Sequence, residues 1–282
     1  MPSSVTNTIG EVKTVLTIAG FDPSSGAGVT ADLMVFAAHG LFGTSCITAL
    51  TVQSTMGVRA FYPVEASILS DSLACLDDDL PPAGIKIGMM GTRAAVATVC
   101  DYLERLRRRG SDIPVVLDPV IRSSSGRELL EPEGVDLLKK RLLPLVDWVT
   151  PNHSELGWLT GRSDIKSKEE TVRAAEDLQR EVIGHGGKPL NVLATGGDII
   201  PPDDLLVTLA SRHHWMSGEH VETSSTHGTG CALSSALLCR LVLGDDLITA
   251  TRNAKSYVAE ALRSAVPIGR GRGPMNHLWP IR

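Results

Sequence analysis

An α/β fold with a mostly parallel, doubly wound sheet is predicted by three observations. Short β-rich runs alternate with longer helical patterns along the whole 282-residue chain. Several of those runs are almost continuously apolar, as expected of strands covered on both faces. The segments between them are long enough to form helices that return the chain for a parallel pairing, with right-handed crossovers. Together these describe a three-layer α/β/α sandwich.

The strand candidates are residues 12–19, 45–52, 85–90, 113–118, 146–150 and 190–195. Helical periodicity falls between and after them, near 28–39, 65–79, 93–109, 133–143, 169–184, 231–243 and 246–264. Residues 204–223 differ in reading as short strands with Gly218 between two of them, a small β meander at one edge of the sheet. Neither Gly184, Gly186 and Gly187 nor Pro201-Pro202 looks like a domain boundary. Residues 1–282 are therefore expected to form a single domain, with residues 1–11 as a flexible N-terminal extension.

Bulk properties narrow the function. A hydrophobic content of 43% over this length supports a sizeable core. The formal net charge of -5 argues against nucleic acid as the main partner, because binding a phosphate backbone calls for a basic face. Arg105, Arg107, Arg108 and Arg109 close an amphipathic helical pattern and read as a solvated helix end. The polar N-terminus lacks the apolar stretch of a signal peptide, and no run reaches the ~18 apolar residues needed to span a bilayer. The five cysteines are odd in number and lack C-x-x-C spacing. A cytoplasmic protein with no membrane partner is expected. The edge meander offers a strand through which two copies can pair, so a homodimer stays open.

In doubly wound sheets ligands bind beyond the carboxyl ends of the strands, and polar or glycine-rich residues follow nearly every strand candidate. Gly20-Phe21-Asp22-Pro23-Ser24-Ser25-Gly26-Ala27-Gly28 follows the first, Gln53-Ser54-Thr55 the second, and Gly88-Met89-Met90 ends the third. Asp118-Pro119-Val120, Asn152-His153-Ser154-Glu155 and Thr195-Gly196-Gly197-Asp198 follow the next three. The sharpest segment is Thr226-His227-Gly228-Thr229-Gly230-Cys231, directly ahead of an apolar helical run. Its glycines let successive N–H groups converge, and the helix start adds more, which makes a pocket for an anion. Cys231, in the first turn, is expected to be pushed toward thiolate. A tight loop followed by a core helix with a buried cysteine describes the same residues equally well.

The other candidates carry the same duality. Asp22 is either a carboxylate for a ligand hydroxyl or amino group, or the cap of an ordinary turn. Gln53 offers a paired donor and acceptor suited to a heteroaromatic edge, or satisfies local backbone. Asn152 and Glu155 can meet phosphate oxygens and water-bound Mg²⁺, or form a capping box. Asp118 can order metal-bound water, or terminate a strand before proline. His227 stands beside the anion loop and is given no role. Residues 269–273 are glycine-rich enough to move.

These motifs, in this order, resemble the hydroxymethylpyrimidine and phosphomethylpyrimidine kinases of thiamine biosynthesis, members of the ribokinase-like superfamily next to the pyridoxal kinases. The resemblance rests on Leu16-Thr17-Ile18-Ala19-Gly20, Asp22-Pro23-Ser24, Gly26-Ala27-Gly28 and Ala31-Asp32-Leu33. It continues through Ile47-Thr48-Ala49-Leu50 with Gln53, Lys86-Ile87-Gly88-Met89 and Val115-Val116-Leu117-Asp118-Pro119-Val120. Thr150-Pro151-Asn152 with Glu155, the 226–231 loop, Gly273-Pro274 and His277 complete it. It implies a ribokinase-like sandwich and an ATP- and Mg²⁺-dependent kinase. The acceptor it implies is 4-amino-5-hydroxymethyl-2-methylpyrimidine, its monophosphate, or both.

By position, the resemblance puts Gly20, Asp22, Gln53, Met89 and Val120 on the pyrimidine. Gly228, Thr229 and Gly230 form the anion hole, and Cys231 stands where many relatives have an Asp base. Asn152, Thr195, Gly196 and Thr226 attend the nucleotide phosphates, and Glu155 and Asp118 the metal, through water. The chain departs from the pattern at Thr195, where many members carry Lys, and at Phe21 and Ser25, where smaller residues are usual. Pyridoxal kinase is the alternative activity, and a non-catalytic ligand-binding protein the alternative class.

Overall fold

The computed structural model describes residues 12–123, 126–163, 165–197 and 201–281. The expected extension over residues 1–11, and Asp198, lie outside the described residues. Nine strands occur among them: β1 (Thr14–Phe21), β2 (Phe42–Ser54), β3 (Gly57–Pro63), β4 (Ile85–Ile87), β5 (Val115–Leu117), β6 (Trp148–Val149), β7 (Asn191–Ala194), β8 (Asp204–Val207) and β9 (His213–Met216). They form a single sheet in the order β3-β2-β1-β4-β5-β6-β7-β8-β9. The pairings from β2 through β7 are parallel, while β3, β8 and β9 are antiparallel additions at the two edges.

Alternation along the strands divides the core. Leu16, Ile18, Ile85, Ile87, Val115, Leu117, Val149 and Val192 join one cluster, and Val15, Val116, Trp148 and Leu193 the other. Successive side chains point to opposite faces, so a strand apolar at every position must be covered twice. The first face is covered by α2 (Ala66–Asp79), α3 (Arg93–Arg108), α4 (Pro132–Leu137), α5 (His153–Thr160) and α6 (Lys168–Gly184). The second carries α1 (Gly28–Ala38), α7 (Thr229–Val242) and α8 (Leu247–Arg263). The three layers expected from the sequence are present.

The differences have local causes. β3 was not anticipated; its half-buried to exposed Gly-Val-Arg-Ala-Phe-Tyr-Pro run pairs only through a hairpin with an extended β2. The helical pattern at 133–143 breaks into α4, a π-helical turn at Leu138–Leu142 and a 3₁₀ turn at Leu143–Leu145, where Pro144 removes a donor. Within the meander, residues 208–212 make the turn and Gly218 lies beyond β9 rather than between the strands. A Cβ at Gly218 would sit 2.1 Å from the Pro202 carbonyl oxygen, so close packing explains that glycine.

The chain leaves β1 toward β2 on one side and returns to β4 on the other. That reversal opens a crevice at the carboxyl ends of β1 and β4.

Candidate active site

A cavity of about 1520 Å³ occupies that crevice. This is more than one small ligand commonly fills, so there is room for two. Gly20, Asp22, Gln53, Met89 and Val120 line one part of it, and Asn152, Glu155 and Thr195 another. Asp118, Thr226, Gly228, Thr229, Gly230 and Cys231 also face it. Of the anticipated residues, Gly196 alone does not. Its N–H donates to Asp204 Oδ1 at 3.0 Å, and a Cβ there would meet the Asp203 carbonyl oxygen at 2.2 Å. Gly196 seats the β7 end against the residues before β8, and its neighbour Gly197 reaches the cavity instead.

The anion loop is built by close backbone packing. Gly228 caps α7 with φ 82, a left-handed conformation that glycine adopts without a Cβ clash. Its missing Cβ would also lie 1.8 Å from the Gly26 carbonyl oxygen, so the loop after β1 and the loop before α7 touch main chain to main chain. Helix α7 begins at Thr229, ahead of the expected 231, which makes Thr229, Gly230 and Cys231 its first turn. Their N–H groups have no acceptor within the helix and stand at the positive end of its dipole.

Cys231 departs from the expected thiolate. Burial pushes its thiol up to about 12, and the nearby Asp118 and Asp32 carboxylates add to the rise while Lys86 opposes it. The helix start does not offset this, so at neutral pH the sulfur carries its proton. Burial also raises the Asp118 carboxyl, against Lys86 and hydrogen bonds from Cys231 and Ser234. Asp118 thus sits under the anion loop with Cys231 and Ser234.

Beneath them lies a fully buried ion pair that sequence reasoning did not single out. Lys86 Nζ, in the middle of β4, donates to Asp32 Oδ2 at 2.9 Å and Oδ1 at 3.0 Å. Thr17 Oγ1 and Ser235 Oγ complete the shell of Asp32 at 2.6 and 2.7 Å. Burial works against the lysine charge, but the Asp32 carboxylate, with Asp118 beyond it, outweighs that and keeps the ammonium protonated. A lysine at the centre of an otherwise apolar strand was the available signal, since lysine is almost never fully buried unless paired.

Asp22 is nearly buried and saturated by the protein. Ser24 N and Ser24 Oγ donate to Oδ1 at 2.9 and 2.7 Å, and Ala27 N and His227 Nε2 to Oδ2 at 3.0 and 2.7 Å. Burial pushes this carboxyl up, yet the bonds from His227 and Ser24 hold it below the ordinary carboxylate range. A carboxylate offers about four lone-pair positions, and all four are engaged. The reading of Asp22 as a free acceptor for a ligand is therefore corrected: it shapes the loop and fixes His227.

His227, to which the sequence assigned no role, is the missing link. Its Nε2 lies 2.7 Å from Asp22 Oδ2 and 2.9 Å from Gln53 Nε2. One ring nitrogen cannot donate to Asp22 and accept from Gln53 at once. The ionised Asp22 decides the matter, because it can only accept, so the proton is on Nε2. With the Nε2 hydrogen directed at Asp22, the Gln53 amide can join only as the second acceptor of a three-centre bond, which needs its terminal group turned by half a turn so that the oxygen faces the ring and the NH₂ is left for a ligand.

Asn152 and Glu155 form a complete capping box on α5, a helix that was anticipated only as its first turn. Asn152 Oδ1 accepts from Glu155 N, and Glu155 Oε2 accepts from Asn152 N, both at 2.9 Å. The local and functional readings coexist, since both residues still face the cavity. The Asn152 NH₂ makes no hydrogen bond among the described residues. Thr195 lies beside it through a parallel bridge, its N–H donating to Pro151 O at 2.9 Å. No group of three or more His, Cys, Asp or Glu suited to a metal occurs among the described residues. A donor set this sparse fits a cation held by one carboxylate, water and ligand phosphates, as Mg²⁺ commonly is. No helix among the described residues is long and apolar enough to cross a membrane.

Comparison with known proteins converges on the same chemistry. Residues 22–276 match the family model described as phosphomethylpyrimidine kinase. The hydroxymethylpyrimidine/phosphomethylpyrimidine kinase of Haemophilus influenzae is 37% identical over 277 residues, covering 95% of this chain and 98% of that protein. A crystal structure of phosphomethylpyrimidine kinase from Clostridium difficile superposes with a TM-score of 0.74 at 34% identity, over 89% of this chain and 99% of that one. The Staphylococcus aureus pyridoxal kinase in complex with AMP-PCP and pyridoxal superposes with a TM-score of 0.80 at 27% identity, over 95% and 94%. The sheet order, the crevice between β1 and β4, the anion loop and these matches lead to one conclusion: the chain belongs to the phosphomethylpyrimidine kinase family, a group of ribokinase-like phosphotransferases.

Proposed function

We propose that this chain transfers a phosphoryl group from ATP to 4-amino-5-hydroxymethyl-2-methylpyrimidine, its monophosphate, or both, in thiamine biosynthesis, acting as one kinase domain in the cytoplasm. The observation that carries this reading is the first turn of α7: Thr229, Gly230 and Cys231 line the same cavity as Gln53 and Asn152, and a helix start leaves its first N–H groups without intrahelical acceptors.

ATP with Mg²⁺ supplies the phosphoryl group and the charge that neutralises it. The protein holds everything else in place. Gln53 turns its NH₂ to a ring nitrogen of the pyrimidine while His227 and Asp22 lock the amide. Met89 packs under the ring; a Cβ on Gly20 would lie 2.9 Å from its sulfur, which accounts for the glycine there. Val120 closes the same wall. The amides of residues 229–231 receive the migrating phosphoryl oxygens. Loss of one such donor typically costs on the order of 3 kcal/mol, roughly 10²-fold in rate. The NH₂ of Asn152, with Thr195 and Thr226, faces the nucleotide phosphates, and Glu155 orients the cation through water. Such a site works by positioning and charge stabilisation, because the transition state of phosphoryl transfer is loose.

Cys231 enters as a protonated thiol hydrogen-bonded to Asp118: as the acceptor hydroxyl attacks, its proton passes to the sulfur while the thiol proton moves to the Asp118 carboxylate, so the two residues act as a relay. Replacing Cys231 by Ala is expected to slow phosphorylation of the alcohol by about 10²-fold, within the range of acid–base contributions. Phosphorylation of the monophosphate should suffer less, since a phosphate monoester brings little proton to remove. Equal effects on the two acceptors would reject a proton-handling role.

The decisive assay follows ADP release from ATP–Mg²⁺ with the alcohol, the monophosphate or pyridoxal supplied separately. Release with a pyrimidine is the expected result; release with pyridoxal alone overturns the reading. A homodimer through the exposed edge strand β9 belongs to the same proposal, and sedimentation of the purified chain checks it.

A further inference from the structure

The segment that leaves α8 reads Ile268-Gly269-Arg270-Gly271-Arg272-Gly273, and its alternation has a geometric consequence. The glycines press on the turn between β2 and β3. A Cβ at Gly269 would lie 2.4 Å from Thr55 Oγ1, and one at Gly271 would lie 2.1 Å from the Thr55 carbonyl oxygen. The main chain is held there, with Arg270 N and Gly271 N both 3.3 Å from Thr55 Oγ1 as donors. At the far end Gly273 N donates to Ser224 O at 3.1 Å, and His227 N donates to Gly273 O at 3.0 Å. The strap therefore joins the hairpin two residues past Gln53 to the residue that leads into the anion loop.

With the glycines against the turn, the intervening side chains are left to the other side, and both Arg270 and Arg272 line the cavity. Both are exposed, and among the described residues neither side chain enters an ion pair or a hydrogen bond. Of the other cations along the same cavity, Arg122 pairs with Glu128, Lys255 with Asp204 and Arg263 with Glu219, while Arg252, on α8 and off the strap, is the other one with no partner among the described residues. Two unpaired guanidinium groups on one short strap present planar forks of donors that match a phosphate dianion.

Resting on the kinase reading above, we propose that Arg270 and Arg272 bind the phosphate of a phosphomonoester acceptor and so make the pyrimidine monophosphate the preferred substrate. The nucleotide is the other source of phosphate at this cavity. The anchors favour the acceptor. Thr55 continues β2 beyond Gln53, whereas Asn152 and Thr195 follow β6 and β7, on the other side of β1, β4 and β5 in the sheet.

The test compares the wild type with Arg270→Ala, Arg272→Ala, the double variant and Arg270→Lys/Arg272→Lys. Steady-state constants for the alcohol and the monophosphate are measured at saturating ATP–Mg²⁺. Calorimetric titration of each acceptor without nucleotide supplies a readout that needs no turnover. The monophosphate KM and Kd should rise about 10-fold for each arginine removed, with those of the alcohol moving far less, as expected for a lost charge-assisted bond. The double Lys variant should recover part of the loss. Equal losses for both acceptors, a raised KM for ATP alone, or no change in any constant overturns the proposal. Should the wild type turn over neither pyrimidine yet bind the monophosphate in an Arg270- and Arg272-dependent way, the kinase reading fails and the anion assignment stands. Turnover of the monophosphate that is indifferent to both arginines has the opposite meaning.

Discussion

His227 shows how a single side chain can organise a site without touching the reacting atoms. It is held by Asp22 at 2.7 Å and stands 2.9 Å from Gln53, so the amide that we propose meets the pyrimidine takes its orientation from a residue fixed by a carboxylate on another loop. Replacing His227 by Ala is expected to raise the pyrimidine KM by about 10-fold, the value of one well-placed hydrogen bond to a charged group or its dependants. A double-mutant cycle with Gln53→Ala should show the two effects to be non-additive; simple additivity would separate them. Lys86 is the second such residue. Lys86→Met leaves Asp32 buried without its partner and should destabilise the fold by about 3–5 kcal/mol in denaturant melts. The double variant Lys86→Met/Asp32→Leu should regain most of that, because the cost lies in the orphaned charge.

At the scale of the element, the first turn of α7 is defined by what precedes it. Gly228 must adopt φ 82 with the Gly26 carbonyl at its back, and no side chain fits that space. Gly228→Ala is expected to remove activity by displacing the amides of residues 229–231, costing at least the roughly 10²-fold assigned to one donor. Thermal melts of the same variant should show a smaller loss than Lys86→Met, as the strain is confined to two surface loops. Element identities were largely readable from pattern: the parallel strands from β1 to β7 carry apolar runs, and α3 and α6 carry clear amphipathic stripes. β3 was not, because an exposed edge strand pairs through one side only and needs no apolar alternation. The early start of α7 was hidden for a related reason, as the helix begins within a glycine loop whose conformation depends on a neighbour distant in sequence.

The whole molecule responds to acid through a buried histidine that does not line the cavity. His277 is buried, its Nε2 meets no partner among the described residues, and burial lowers its pKa to about 4, with the nearby Asp32 opposing that shift. A histidine depressed in the fold stays neutral there while the unfolded chain takes up a proton near 6.5. Stability is therefore complete above about pH 6.5 and falls progressively to about pH 4, by on the order of 3 kcal/mol. Melting temperatures of His277→Gln across that window should decline less steeply than those of the wild type. An identical slope would place the acid sensitivity elsewhere.

What the linear order of residues determined was the layering and the rim. Apolar runs at strand spacing, amphipathic helical stretches and polar strand ends follow local periodicity, and local periodicity survives folding. Which rim residues remain able to act was settled only by the tertiary arrangement. Asp22 is spent on four protein donors, Gly196 is turned to Asp204, and Cys231 keeps its proton beside Asp118 and Asp32, while His227 gains a part that its neighbours in the chain do not suggest. Hydrogen-bond saturation and desolvation depend on atoms brought together from distant points of the chain, and no spacing along the sequence records them.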